Sequence, residues 1–225
     1  MNPNEPEYFY QRGMVQWENK QADPAMADFD RALALKPDLL SALVSRAQLR
    51  LDEKNISGAT ADLDLADRTA PRQADVRFTL AGMFEAADLL DSALSQFDLW
   101  IDNHPDDSKM AGALNGRCWI RALKGTDLPK ALGDCNAALR RSGKTNAAAL
   151  DSRGLVRLRL GDYDKAINDY DDSLKLAPRD AWSLYGRGVA KLRKKRTAEG
   201  QADIEAAERL WPKIAGEFQR RGIVP

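Results

Sequence analysis

Small and apolar residues recur along this chain at steps of three and four, the spacing that lines one face of an α-helix. Ala25, Phe29 and Ala32 form one such face. Ala59, Leu63 and Ala66 form the next, followed by Ala93, Phe97 and Trp100, by Ala166, Tyr170 and Ser173, and by Gly200, Ile204 and Ala207. A proline follows each face: Pro37, Pro71, Pro105, Pro178 and Pro212. Proline cannot continue a helix, so it sets the turn into the next element. The first three prolines lie 34 residues apart, and so do the last two. A second small residue stands earlier in each period, at Gly13, Ala47, Ala81, Gly154 and Gly188. Between the two runs lies one more period, with Cys118, Ala131, Cys135 and Ala138 at the corresponding places.

This pattern predicts two helices per period. Helix A carries the lone small residue, and helix B carries the small–large–small face. Small residues let two antiparallel backbones approach, and the large residue fills the groove beside the contact. Gly161-Asp162 reads as the stop of one helix and the cap of the next. Six units follow, at about residues 6–39, 40–73, 74–110, 111–146, 147–180 and 181–214. A last segment, 212–222, places Ile214 and Phe218 four residues apart to face inward, with Arg220 and Arg221 outward. It fits the polar-faced end cap that a repeat array needs.

The 34-residue unit with these small and large positions resembles the tetratricopeptide repeat (TPR) family, over roughly residues 6–214. The "RG" pairs and the wording "DFDRALALKP" are similar to bacterial members. Within each unit, the family's early aromatic is met only by Phe9; other units use Leu or Arg77. The resemblance implies an all-α fold, a right-handed α-α superhelix (solenoid) of six helix–turn–helix units plus a C-terminal capping helix. It implies one solenoid over 1–225, no cofactor and no catalysis. The implied partner is another protein, whose peptide or helical segment binds in a concave groove lined by helix A; the alternative is an assembly or regulatory segment of a longer protein, of the envelope or an enzyme, whose catalytic domain lies outside this sequence. Carried over position by position, the groove holds Tyr10, Met14 and Trp17, then Phe78, Trp119 and Arg159, and finally Trp182, Tyr185 and Arg193. Trp, Tyr and Arg suit binding because they bury much area and keep a polar handle. The alternative is that some of these aromatics pack into the core. The Lys/Asn clamp that some family members use for a peptide's terminal carboxylate is missing, since those positions hold Tyr10, Gln11, Met14, Ser45 and Gln48.

Charge adds a second periodic feature. Five of six units place Arg just before the small residue of helix A: Arg12, Arg46, Arg117, Arg153 and Arg187. The same five place Asp before the large residue of helix B: Asp28, Asp62, Asp134, Asp169 and Asp203. The third unit loses both together, with Leu80 and Gln96 instead. Joint loss predicts that the two side chains meet as a partly buried ion pair within one unit, where an Arg fork can hold a carboxylate with two hydrogen bonds. The alternative is an Arg-lined groove for an anion. The net charge is zero, but residues 1–110 carry eleven Lys/Arg against twenty Asp/Glu, and residues 111–225 twenty-three against fourteen. That split fits two differently charged solvated faces, and it also opens head-to-tail self-association.

Candidate chemistry is sparse. Cys118 and Cys135 fall on facing helices of the fourth unit, which has one extra residue in its turn and lacks the closing proline. They read as small core thiols, or as a candidate disulfide in an oxidising compartment, and their spacing is no metal motif. His104, the single histidine, lies in the turn "DNHPDD". No phosphate loop, nucleophile elbow or zinc motif is present. The basic run "KLRKKR", 191–196, reads as a solvated helix end rather than a nucleic-acid contact. No apolar run reaches the roughly 18 residues of a membrane helix, so no membrane insertion is expected. The start carries no leader pattern, which fits the cytoplasm if the chain is complete and leaves the periplasm open if it is a fragment of an exported protein.

Overall fold

A computed structural model describes residues 5–143 and 145–225. All regular elements among them are helices, in six consecutive pairs and a last short one. The pairs are α1 (Pro6–Glu18) with α2 (Ala22–Leu35), α3 (Leu40–Asp52) with α4 (Ile56–Thr69), and α5 (Val76–Ala86) with α6 (Leu90–Asn103). Then come α7 (Met110–Lys124) with α8 (Leu128–Arg141), α9 (Ala147–Arg159) with α10 (Tyr163–Leu176), and α11 (Ala181–Arg193) with α12 (Thr197–Leu210). The last is α13 (Ile214–Arg220). The helices gather into two compact units, one holding α1–α6 and the other α7–α13.

Helices of 11 to 15 residues are marginal alone in water, so packing must supply their stability. The large helix B residues supply much of it. Phe29, Leu63, Phe97, Tyr170 and Ile204 are all buried, each contributing about 1.5–3 kcal/mol by leaving water. The small helix A residues make that burial possible. A Cβ added at Gly13 would stand 2.8 Å from the Phe29 ring, and one at Gly154 would stand 2.8 Å from the Tyr170 ring. The Tyr170 ring is gripped from the other side as well, because a Cβ at Gly186 of α11 would lie 2.4 Å from its Cζ and Oη. Tyr170 therefore pins α9, α10 and α11 together.

The turns between A and B share one device. Each contains a residue in the left-handed region: Lys20, Lys54, Asp88, Gly125, Gly161 and Lys195. Only two are glycines. The fourth turn adds a second left-handed residue, Asp127, beside its extra position. In that same hairpin Cys118 and Cys135, both fully buried, form a disulfide with Cα atoms 5.5 Å apart.

Overpacking a tight helix contact costs about 1–3 kcal/mol. Gly186→Ala is therefore expected to lower the unfolding free energy by that amount in a urea titration. Gly82→Ala is the control. It lies in α5, where a Cβ meets nothing within 4 Å, and should raise stability by about 0.5–1 kcal/mol.

Candidate interaction site

The frame that positions the site is a ladder of Arg–Asp forks. Nε and Nη2 of Arg12 donate to the two carboxylate oxygens of Asp28 at 2.7 and 2.6 Å. The same two-bond fork joins Arg46 to Asp62, Arg117 to Asp134, Arg153 to Asp169 and Arg187 to Asp203, always inside one hairpin. Every one of these aspartates is buried. Four of them take a second cation one helical turn further along helix A: Arg50, Arg121, Arg157 and Lys191. The remaining Arg nitrogen reaches back to the preceding hairpin. Arg46 donates to Asp30 at 2.6 Å, Arg153 to Asn136 at 3.0 Å, and Arg187 to Asp171 at 2.7 Å. Each such arginine thus ties its helix A to two successive B helices. Burial opposes ionisation of Asp203, yet its hydrogen bonds from Arg187 and Lys191 prevail and lower its pKa.

The third hairpin solves the same problem differently. Arg77, three residues ahead of the usual place, is buried and donates to Gln96 Oε1 at 2.7 Å. It also bonds Asp67 and the carbonyls of Ala70 and Pro71, while Gln96 donates to Asp67 at 2.9 Å. The sequence pattern registers Arg77 only as a replaced aromatic. Its signal was a buried-position arginine beside a glutamine standing where the aspartate had been.

In the N-terminal unit the candidate groove residues lean on the core. Tyr10 and Trp17 lie 6.2 and 6.3 Å from the Phe29 ring, and Met14 accepts a hydrogen bond from Ser45 at 3.3 Å. Phe78 packs edge-on to Phe97 and Trp100. All four are half-buried, each with one face in the core and one in solvent.

In the C-terminal unit the candidates converge. Trp119 of α7 meets Trp182 of α11 edge-on at 4.9 Å. Trp182 and Tyr185 then hold Phe218 of α13, with ring centroids 4.8 and 4.5 Å away. Ile214 and Phe218 are fully buried, and Arg220 is exposed. Arg221, expected to point outward, is half-buried. The reason is Arg159, at the end of α9. Its Nη2 bonds the Leu123 carbonyl of α7 at 2.9 Å and the Arg221 carbonyl at 2.6 Å, drawing the segment in. Arg193 donates to the Val224 carbonyl at 3.0 Å. Burial and the positive charge of Arg221 hold the Arg159 pKa below its ordinary value. A cleft of about 320 Å³ remains between Arg159, Val189 and Arg193 on one side and Gly222, Ile223 and Val224 on the other. The basic run beside it is largely paired within the chain: Lys191 with Asp203, Lys194 with Asp164, and Arg196 with Glu199.

Beneath this face lies a polar relay. Asp151 Oδ1 and Ser183 Oγ are 2.7 Å apart, Ser183 Oγ and Ser173 Oγ are 3.0 Å apart, and Ser173 Oγ donates to the Ala147 carbonyl at 3.0 Å. Ser183 Oγ donates to Asp151 Oδ1, and Ser173 Oγ, beside it, donates to the Ala147 carbonyl. Burial, then the negative charge of Asp180, raise the Asp151 pKa to about 8, against the lowering effect of the Ser183 hydrogen bond.

Comparison with known proteins gives these side chains a context. Residues 6–39 match the profile described as "Tetratricopeptide repeat", and residues 154–195 match "TPR repeat". The chain is 32% identical over 122 residues to Photosystem I assembly protein Ycf3 of Acaryochloris marina (strain MBIC 11017), covering 53% of this chain and 73% of that protein. It is 26% identical over 169 residues to Tetratricopeptide repeat protein 6 of Homo sapiens, covering 74% of this chain and 31% of the human protein. Among solved structures, a tetratricopeptide repeat protein from Parabacteroides merdae ATCC 43184 superposes with a TM-score of 0.72 at 15% identity, over 96% of this chain and 92% of that one. At that identity the likeness is one of fold.

Two outcomes are expected from the geometry. Arg153→Ala and Asp169→Ala, made singly and together, should show a coupling energy of about 1–3 kcal/mol in denaturant titrations, because each single change breaks both bonds of a fork whose other member keeps only its secondary contact, Arg157 for Asp169 and Asn136 for Arg153; additive losses would refute a coupled pair. For Asp151, the folded pKa of about 8 lies above the ordinary 3.8, so the folded state alone holds the proton between them. Its contribution is full below the lower value and is lost as pH rises towards the upper one, by about 1.4 kcal/mol per pH unit. Melting curves at pH 5.5 and pH 8 should show a smaller fall for Asp151→Asn than for the parent.

Proposed function

The chain belongs to the tetratricopeptide repeat family, and from that premise we propose that it is a non-enzymatic scaffold that binds another protein. The partner contributes a peptide or helical segment, received on the faces formed by the A helices. One observation carries this reading: α7, α9 and α11 gather Trp119, Arg159, Trp182 and Arg193 around Phe218, with Tyr185 buried beneath it. Stacked aromatics give a partner large apolar contact with few rotamers to freeze, and arginines beside them read main-chain carbonyls or carboxylates. Tyr10, Met14, Trp17 and Phe78 offer a second, shallower surface in the N-terminal unit, since half of each is already engaged by the core. The similarity to a photosystem assembly protein supports a role in bringing components together rather than in chemistry. The Arg–Asp ladder is structural in this reading, because the forks are engaged by the chain's own carboxylates.

Affinity purification from the native host tests it. The triple variant Tyr10→Ala, Trp119→Ala, Arg193→Ala should lose a partner that the parent retains, with unchanged circular dichroism. A helix B surface variant, Arg68→Ala with Lys175→Ala, should keep that partner. Retention by both variants, or equal loss from both, overturns the proposal.

A further inference from the structure

The surface assigned above to a partner is already covered in the C-terminal unit by residues 214–225 of the same chain. We propose that this segment is a displaceable internal occupant of the site. The external ligand that replaces it is a peptide with an aromatic anchor and acidic residues where the segment carries Arg220 and Arg221. This rests on the reading of that face as the binding site.

The segment binds as a ligand would. Phe218 is the anchor, enclosed by Trp182 and Tyr185. Three residues on, the Arg221 carbonyl accepts from Arg159, and six residues on, the Val224 carbonyl accepts from Arg193. Between them Gly222, with φ of 71°, turns the chain so that Ile223 is buried. Both polar contacts read main chain, so they transfer to any peptide laid along the same path.

Three features make the occupant removable. First, α13 has only seven residues, well short of the roughly 12–15 that sustain a helix alone, and only Ile214 and Phe218 of it are fully buried. Second, residues 222–224 form just one wall of the cleft, so the rest stays open to solvent. Third, the charge match is poor. Residues 104–213 hold twenty-two Lys/Arg against fifteen Asp/Glu, yet the segment adds two arginines against one acid, Glu217, which pairs with Arg220. Arg221 sets its positive charge against Arg159. A glutamate at that place would reverse the sign of the contact and could pair with Arg159 through a fork. Because the occupant is tethered, an external peptide competes against a high local concentration, and its apparent affinity falls by the fraction of chain in which the site is open.

Two synthetic peptides test this: residues 211–225 as they stand, and the same peptide with Arg220→Glu and Arg221→Glu. Each is labelled and titrated into the intact chain and into its Phe218→Ala variant, which vacates the anchor pocket that the peptide's own Phe can fill. The native-sequence peptide should bind the variant at least tenfold more tightly than the parent, and the acidic peptide more tightly than the native one at low salt. Equal affinity for parent and variant overturns displacement. Equal affinity of the two peptides overturns the acidic ligand. Binding of neither peptide to a folded variant overturns the whole inference, while the partner-retention experiment still decides the scaffold reading. Should Phe218→Ala lose helical signal, Phe218→Leu takes its place, since it weakens the anchor and keeps the pocket apolar. Hydrogen exchange on the intact chain is the independent check. Residues 214–225 should exchange faster than α11 and α12, and exchange of all three in one step would mark a fixed cap and refute the proposal.

Discussion

Two helix backbones must come close enough for a ring on one to lie against the bare backbone of the other. Everything else in this chain depends on that approach. Where Gly13 faces Phe29 and Gly154 faces Tyr170, even one added carbon has no room. The approach buries the large residue, and the burial holds together helices too short to persist alone. It also brings an arginine and an aspartate sixteen or seventeen residues apart within fork distance. The ion pair follows from the packing and then reinforces it, because a fork with two fixed bonds tolerates little sliding or rotation between the helices. By linking on to the preceding B helix, Arg46, Arg153 and Arg187 carry this constraint from one hairpin to the next.

Much of this was legible in the sequence, because the approach leaves a periodic trace. Small residues, large residues and prolines at fixed intervals identify six hairpins, and the joint loss of Arg and Asp in the third points to a pair that meets. What stayed hidden depends on side-chain reach and not on period. Arg77 arrives three positions early, meets a neutral glutamine in its own hairpin and takes its carboxylate, Asp67, from the preceding one, outside the repeating spacing. Four of the six A–B turns have only Lys or Asp in the left-handed region, where glycine would have announced the turn. Along α9, α10 and α11, the polar relay of Asp151, Ser183 and Ser173 interrupts a core that the small–large pattern describes as apolar.

The candidate site was legible in outline only. The family positions pick out side chains on the A helices, and in the C-terminal unit those side chains meet. They do not say what the side chains touch. Trp182 and Tyr185 could be assigned to a groove from their place in α11, but that Phe218 of the same chain lies between them is a tertiary fact, set by where a seven-residue helix can turn. In the N-terminal unit the same positions give a different result. Tyr10 and Trp17 have Phe29 behind them and are drawn partly into the core. One list of positions thus yields two kinds of surface, one already clothed by its own chain and one half absorbed by its own support.

The fourth hairpin replaces the usual contact of a small residue with a large one by a covalent bond between Cys118 and Cys135. Topologically, the polypeptide then ceases to be a simple line and acquires a closed ring. A translocase or unfoldase that feeds on a single extended strand would have to pass two strands abreast at that point. Passage of the chain through a pore that admits one strand therefore requires that ring to be open.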